Sequence, residues 1–368
     1  MRKGWEYKRW KEVLTIINGK NQSAVVDENG EYPIYGSGGI MGYANNWLCP
    51  ENCVIIGRKG NINKPIFVET KFWNVDTAFG LNANKEYLLP KFLYYFCLDY
   101  NFERHNKAVT IPSLTKVDLL KIDIPLPPKS TQLAIVSELD KINELIRLKK
   151  EQLKDFDNLA QSLFYEMFGD PVENEKGWEV KKLGEIGEFK NGLNFSKDEN
   201  GHSIKFLGVS DFQNKKSIAS DQLAYISLSE RVQEDYLLKT GDIVFVRSNG
   251  KKELIGRSVK MYITEPTTYS GFCIRCRITD EKVDKDYIAI LLKTPIIRQF
   301  MTNSGRGCNI SNLNQKVLNS IPTILPPLSL QRLFAQRIEQ IEREKSEVQK
   351  SIQNLETLQA SRMQYWFE

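Results

Sequence analysis

The sequence predicts an α+β chain made twice over: two mixed α/β globular segments, each followed by one long helix. Three observations predict it. Apolar residues keep a heptad rhythm from Ser130 to Phe168. Adding 199 to each number from Leu114 onward matches the chain to itself without a gap as far as Phe367. The start of each half matches as well, at another offset, as Gly4-Trp5-Glu6 and Gly177-Trp178-Glu179.

Taken in order, Trp5 to Trp10 alternates weakly and opens the first segment. Pro33 to Tyr43 is glycine-rich with aromatic punctuation, and Ser37 lies in it. It lacks the Lys-Ser/Thr ending of a P-loop. It reads either as tight turns at strand ends or as backbone approaching a nucleic-acid phosphate or groove. Cys53-Val-Ile-Ile-Gly57 is a buried strand by its β-branched run. It delivers Arg58, Lys59 and Asn61 on a glycine-hinged turn, suited to phosphate or guanine contact, with a solvated hairpin tip as the plainer alternative. Lys71 to Asp76 reads as another strand and turn, and Leu88 to Leu98 is apolar at helical spacing, hence core. His105-Asn106-Lys107 is a polar, basic loop leading into the repeated unit. Lys107 is a candidate contact, whereas His105 has no Ser, Cys or carboxylate partner visible in sequence and reads as a surface residue.

Pro127-Pro128 marks the start of the long helix and Gly169-Asp170-Pro171 its end. At ~1.5 Å per residue it would be about 57 Å long. Its seam is Ile135, Leu139, Ile142, Ile146, Leu153, Phe156 and Leu163, with Ala160 and Met167, interrupted by Lys149. In the second copy Leu325-Pro326-Pro327 starts the helix, and the seam is Phe334, Ile338, Ile341, Val348, Ile352, Leu355 and Trp366. Lys345, Gln359 and Arg362 interrupt it, and the late polar positions predict a loosely held last turn.

In the second segment, Lys190 to Lys197 is a polar glycine loop offering Asn194 and Lys197, and Phe206 to Lys216 runs from a strand into a basic loop. Gly241-Asp242 turns into the buried strand Ile243-Val-Phe-Val246. That strand delivers Arg247, Ser248, Asn249, Lys251 and Lys252, with Arg257 close behind. This mirrors Val54 to Gly60. Arg306, in Asn303 to Gly307, stands where His105 to Lys107 stood. Basic, hydrogen-bonding loops at the same stations in both halves favour DNA contact over solvation alone, since Arg and Lys read guanine edges and Asn reads adenine.

Composition bounds the rest. The 368 residues carry 51 Lys plus Arg against 46 Asp plus Glu, a net charge of +5 that permits nucleic-acid binding without demanding it. Met1 to Trp10 is charged, so no signal peptide is visible, and the longest apolar run falls far short of the ~20 residues that span a bilayer. The expectation is a soluble, cytoplasmic protein that meets no membrane. Cys273 and Cys276, and Cys49 and Cys53, would both be needed for a zinc site, yet they lie in different halves; they read as thiols of a reducing compartment, with no metal. The Pro-Pro pairs are preceded by Leu, unlike the Asn/Asp-Pro-Pro-aromatic run of an adenine methyltransferase. No S-adenosylmethionine fingerprint, Walker motif or H-E-x-x-H occurs. No catalytic residue is nominated.

This layout resembles, along essentially the whole chain, the specificity (S) subunit of type I restriction-modification systems. The duplicated Leu-Pro-Pro helix unit carries the resemblance most strongly: Ile122 to Pro128 with Gln132 and Phe164 to Phe168, then Leu325 to Phe367. Tyr35 to Ile40, Val54 to Gly60 and Gly241 to Phe245 are similar to the family's target recognition domains. The resemblance implies two such domains, 1–128 and 171–327, with spacer helices 129–170 and 328–368 packed antiparallel as a coiled coil with pseudo-two-fold symmetry. It implies a non-catalytic DNA-binding subunit that reads a split asymmetric double-stranded site. It also implies docking of two methyltransferase (M) subunits and of motor-nuclease (R) subunits. S-adenosylmethionine, ATP and Mg2+ would belong to those partners. The competing readings are a coiled-coil adaptor and a DNA-modifying enzyme of unfamiliar motif.

Overall fold

The structure, a computed structural model, describes residues 4–106, 111–194, 197–212, 217–248, 254–303 and 313–367, the side chains of 197–200, 302 and 303 excepted. The chain divides into two compact units, Met1–Gln152 with Val348–Glu368, and Leu153–Glu347.

Both units follow one plan. The first has a four-stranded antiparallel sheet in the order Leu14–Asn18, Ala78–Ala83, Cys53–Gly57, Ile66–Val68. The second repeats that order with Gly187–Asn191, Cys273–Ile278, Ile243–Val246 and Ser258–Tyr262, and adds Ser217–Ala219 parallel to the last strand. A three-stranded sheet accompanies each. Tyr32–Gly36 lies between antiparallel Gly39–Ala44 and parallel Trp73–Asn74; Lys197–Leu207 lies between antiparallel Tyr225–Leu228 and parallel Thr267–Tyr269. The strands Cys53–Gly57 and Ile243–Val246 are buried along their whole length, which is why they read as unbroken apolar runs. Lys190 and Asn191 sit in a strand rather than in the expected loop, because Gly187–Asn191 is zipped to Cys273–Ile278 from end to end.

The two offsets of the internal repeat meet in a two-stranded ribbon. Glu6–Arg9 pairs with Asp123–Leu126 and Glu179–Lys182 with Pro322–Leu325, setting Glu6 opposite Leu126 and Glu179 opposite Leu325. The next turn is equivalent too: Trp10 N donates to Ile122 O and Leu183 N to Ile321 O, both at 2.9 Å. Each globular segment is thus closed by the strand that leads into its own long helix.

Those helices are Lys129–Phe168 and Leu328–Phe367, 40 residues each. Gly169 takes φ +76° to end the first. Trp178, of the repeated Gly-Trp-Glu, then donates its Nε1 to Phe168 O at 2.9 Å, and Lys176 Nζ reaches Met167 O at 3.1 Å. Within each unit the helices pair antiparallel. In the first, Lys150 meets Glu356, Asn143 meets Gln359 and Glu138 meets Arg362. In the second, Asp157 meets Lys345 and Phe164 meets Phe334. Ile135, Leu139, Ile142, Ile146, Leu163, Phe334, Ile338, Ile341, Val348 and Ile352 are buried, and Leu153, Phe156 and Leu355 half-buried. The pair is more than a seam. Ile135 and Leu139 close the core around Trp10, Phe92 and Phe96, while Phe334 and Ile338 close the one around Tyr287 and Ile324. Val136 and Phe164 are buried by those same cores, outside the heptad positions.

The last turn of the second helix is held firmly, contrary to expectation. Trp366 stacks on Trp5 with ring centres 6.4 Å apart, and Phe367 packs against Phe92 at 5.3 Å. Its polar seam residues find polar partners instead of apolar ones.

Cys273 and Cys276 lie three apart on one strand, so they face opposite sides and enter different cores. Burial pushes both thiols up to about 12, and Cys53 likewise. Among the described residues no helix is long and apolar enough to cross a membrane.

Candidate nucleic-acid interface

In each unit the buried central strand runs out at an arginine, and both arginines are clamped identically. Arg58 N donates to Thr77 O at 2.8 Å and Arg58 O accepts from Leu114 N at 2.9 Å. Arg247 N donates to Phe272 O at 2.8 Å and Arg247 O accepts from Leu313 N at 2.7 Å. Leu114 and Leu313 are the first matched pair of the repeat. The backbone of each arginine is therefore fixed from two sides, by the neighbouring strand and by the entrance to the helix unit.

Around Arg58 the turn is tight. A Cβ on Gly57 would stand 2.4 Å from Asn61 O, and Gly60 takes φ +77°. Gly60 N is tied to Pro112 O at 3.0 Å. Arg58, Lys59 and Asn61 are exposed; Arg58 Nη1 donates to Asp76 O at 3.5 Å and its guanidinium lies over the Phe79 ring, 5.8 Å from the centre. The glycine-rich stretch is a hairpin with half-buried Ser37 at its tip. A Cβ on Gly38 would come within 3.9 Å of Asn61 Nδ2, so hairpin tip and basic turn are neighbours. Exposed Ile40, Met41 and Tyr43 extend the same hairpin. His105 is half-buried rather than superficial: its ring stacks on Tyr100, with Nε2 2.7 Å from the hydroxyl.

Around Arg247 the arrangement is similar. Ser248 N also points to Phe272 O, at 3.4 Å. Exposed Asn194 lies against the same turn, for a Cβ on Gly271 would stand 2.1 Å from its Oδ1. A cleft of about 420 Å³ opens beside Asn194, with Arg231, Gln233 and Tyr236 in its walls. Arg257 is half-buried and accepts Val246 N at 2.9 Å. Burial and the Arg257 charge together push the Arg298 guanidinium below its ordinary range, so two like charges share this flank. Lys197 lies in Lys197–Leu207, its side chain outside the described residues; Lys107, Asn249, Lys251, Lys252 and Arg306 lie outside them altogether.

Sequence reasoning passed over Phe272, Arg231, Gln233 and Arg298. Arg231 and Gln233 are brought beside Asn194 by the cleft, and Arg298 beside Arg257, placements that leave no pattern in the sequence.

The scaffold is thus a duplicated α+β fold that presents one clamped arginine among polar groups in each unit. The chain belongs to the type I restriction modification DNA specificity domain family, which matches residues 2–155 and 175–357. It is 24% identical over 333 residues to the StySPI specificity subunit of Salmonella potsdam, covering 83% of this chain and 71% of that one. It is 24% identical over 384 residues to the MjaVIII specificity subunit of Methanocaldococcus jannaschii, covering 94% and 90%. The fold matches the S subunit of a type I restriction-modification system from M. genitalium with a TM-score of 0.60 at 18% identity, over 99% of this chain and 96% of that one. It also matches, at 0.64 and 17% identity over 99% and 97%, a chain solved in work on complex assembly and conformational transition of the type I R-M system. Its role is that of a specificity subunit, the non-catalytic component of a type I restriction-modification system that confers DNA sequence recognition.

Proposed function

We propose that each unit reads one half of a split, asymmetric double-stranded DNA site, and that the paired helices hold the unread gap between the halves. The observation that carries this is the arginine clamp, built once in each unit from the same strand end and the same repeat leucine. A pre-fixed arginine suits bidentate contact with a guanine edge, and a neighbouring Asn suits adenine. Two such heads in one chain suit two half-sites that need not be identical, as dimers suit palindromes. In this reading the DNA-contacting groups are Ser37, Arg58, Lys59, Asn61 and Lys107 in one unit. In the other they are Asn194, Lys197, Arg247 to Asn249, Lys251, Lys252, Arg257 and Arg306. Two M subunits dock on the chain, R subunits join them in a restricting complex, and S-adenosylmethionine, ATP and Mg2+ reside in those partners. The assembly works in the cytoplasm.

Mapping methylated adenines in the host genome gives both half-sites and the gap. Arg247→Ala in the assembled complex is then expected to weaken binding by roughly 1–3 kcal/mol and to relax specificity in one half-site only. Relaxation in both halves, or in neither, would remove the assignment of one half per unit.

A further inference from the structure

The half-site reading proposed above makes DNA the ligand of the face around Arg247 but does not account for an apolar group exposed on it, Phe272. Phe272 is 60% exposed, although Tyr269 and Cys273 on either side of its turn are fully buried. The turn is held without slack. Cys273 N donates to Ser270 O at 2.8 Å, Phe272 N to Ser270 Oγ at 3.2 Å, and Gly271 N to Leu193 O at 2.7 Å. On one side Phe272 O takes the Arg247 N–H at 2.8 Å; on the other, Asn194 Oδ1 lies where a Cβ of Gly271 would be.

An isolated exposed apolar side chain is ordinary and needs no explanation. Phe272 differs in its placement: its turn is bonded to the backbone of Arg247 and abuts Asn194, the two residue types whose side chains match the hydrogen-bonding edges of guanine and adenine. In the major groove the one apolar feature among those edges is the 5-methyl group of thymine. The corresponding station in the first unit, where Arg58 N is received, is Thr77, so the phenyl ring belongs to one half-site alone.

Building on the half-site reading above, we propose that Phe272 reads thymine: its ring packs against the 5-methyl group of a thymine in the half-site bound by the second unit, beside the bases contacted by Arg247 and Asn194.

The test uses the complex with its M subunits and duplexes carrying the mapped site, each thymine replaced singly by deoxyuridine. That exchange removes the methyl group and leaves every hydrogen-bonding group in place. One thymine of the second unit's half-site is expected to be sensitive, its replacement weakening wild-type binding about fourfold, the worth of one buried methylene-sized group. Phe272→Ala should bind the thymine and deoxyuridine duplexes equally. Phe272→Leu should keep part of the discrimination, which a purely structural role would not predict. Both variants should keep the wild-type preference in the first half-site and the wild-type dependence of affinity on salt, because phosphate contacts are untouched. Sensitivity that persists in Phe272→Ala overturns the proposal, as does a half-site without an A·T pair or one with no sensitive thymine. Sequence preference without methyl sensitivity sinks this inference alone; no sequence preference at all sinks the half-site reading with it.

Discussion

Gln132 and Gln331 show how a single buried side chain ties each globular segment to its helix. Both are 1% exposed. Gln132 Oε1 accepts from Leu89 N at 2.9 Å, while its Nε2 donates to Tyr87 O at 2.9 Å and Pro127 O at 3.0 Å. Gln331 does the same with Asp284 N at 2.8 Å, Lys282 O at 3.4 Å and Pro326 O at 2.7 Å. Leu89 and Asp284 are the N-cap residues of the helices Pro90–Asp99 and Lys285–Leu291, so each glutamine oxygen accepts an N–H at the start of a helix. Removing the amide strands several buried backbone groups, each worth ~1–3 kcal/mol when left unmade. Gln132→Ala should destabilise the first unit by about 2–4 kcal/mol, with faster hydrogen exchange at the amides of Leu89 and its helix and little change around Asp284. Equal acceleration in both units would show that the staple is not local. The sequence displays the identity of the two glutamines, but their purpose was illegible. Two of the three partners of each glutamine lie more than forty residues upstream, and all of them contribute backbone groups, which leave no mark in residue type.

At the scale of elements the paired helices obey their heptads where both sides are apolar and depart from them where the globular cores intrude. The departure concentrates at the end of the second helix. Arg362 stands at the repeat position of Leu163, and its guanidinium binds Glu138, which also accepts Trp366 Nε1 at 3.0 Å. The hydrogen bond from Arg362 holds the Glu138 carboxyl below its ordinary range, despite some opposing desolvation. A carboxyl that binds its proton less readily folded than unfolded contributes stability above its ordinary pKa and loses it as pH falls through the folded value. Glu138→Gln should therefore cost about 0.5–1 kcal/mol at neutral pH, the scale of a partly exposed ion pair. In urea denaturation the gap between wild type and variant should close at acid pH, once the wild-type carboxyl is protonated. A gap that persists there would mean that packing around Trp366, not charge, holds this turn. Heptad counting sees Gln359 and Arg362 as defects because it tests one helix at a time. Their partners Asn143 and Glu138 lie on the other helix, more than two hundred residues away in sequence.

For the whole molecule, the repeat in the sequence announced most of the architecture: two segments, two helices, and a mirrored strand-to-arginine element in each. Less legible was the face that Arg247 shares with Asn194 and Phe272, which is assembled within the second unit from loops without common pattern. The proposed spacer role of the helices makes a demand on length that the heptads allow to be met cleanly. Both helices pass from one unit to the other, between Gln152 and Leu153 and between Glu347 and Val348. Seven residues inserted at both junctions keep each seam residue in phase, because the apolar repeat is itself seven. The insertion adds about 10 Å of helix at ~1.5 Å per residue, equivalent to about three base pairs at ~3.4 Å each. Methylation mapping in cells carrying the lengthened chain should return the same two half-sites with a gap longer by about three base pairs. Insertion in one helix only shifts the antiparallel register and opposes Asn143 and Glu138 to the wrong partners, so that variant should lose assembly rather than change the gap. The same gap from the doubly lengthened chain would mean that something other than the helical pair sets the distance between the half-sites.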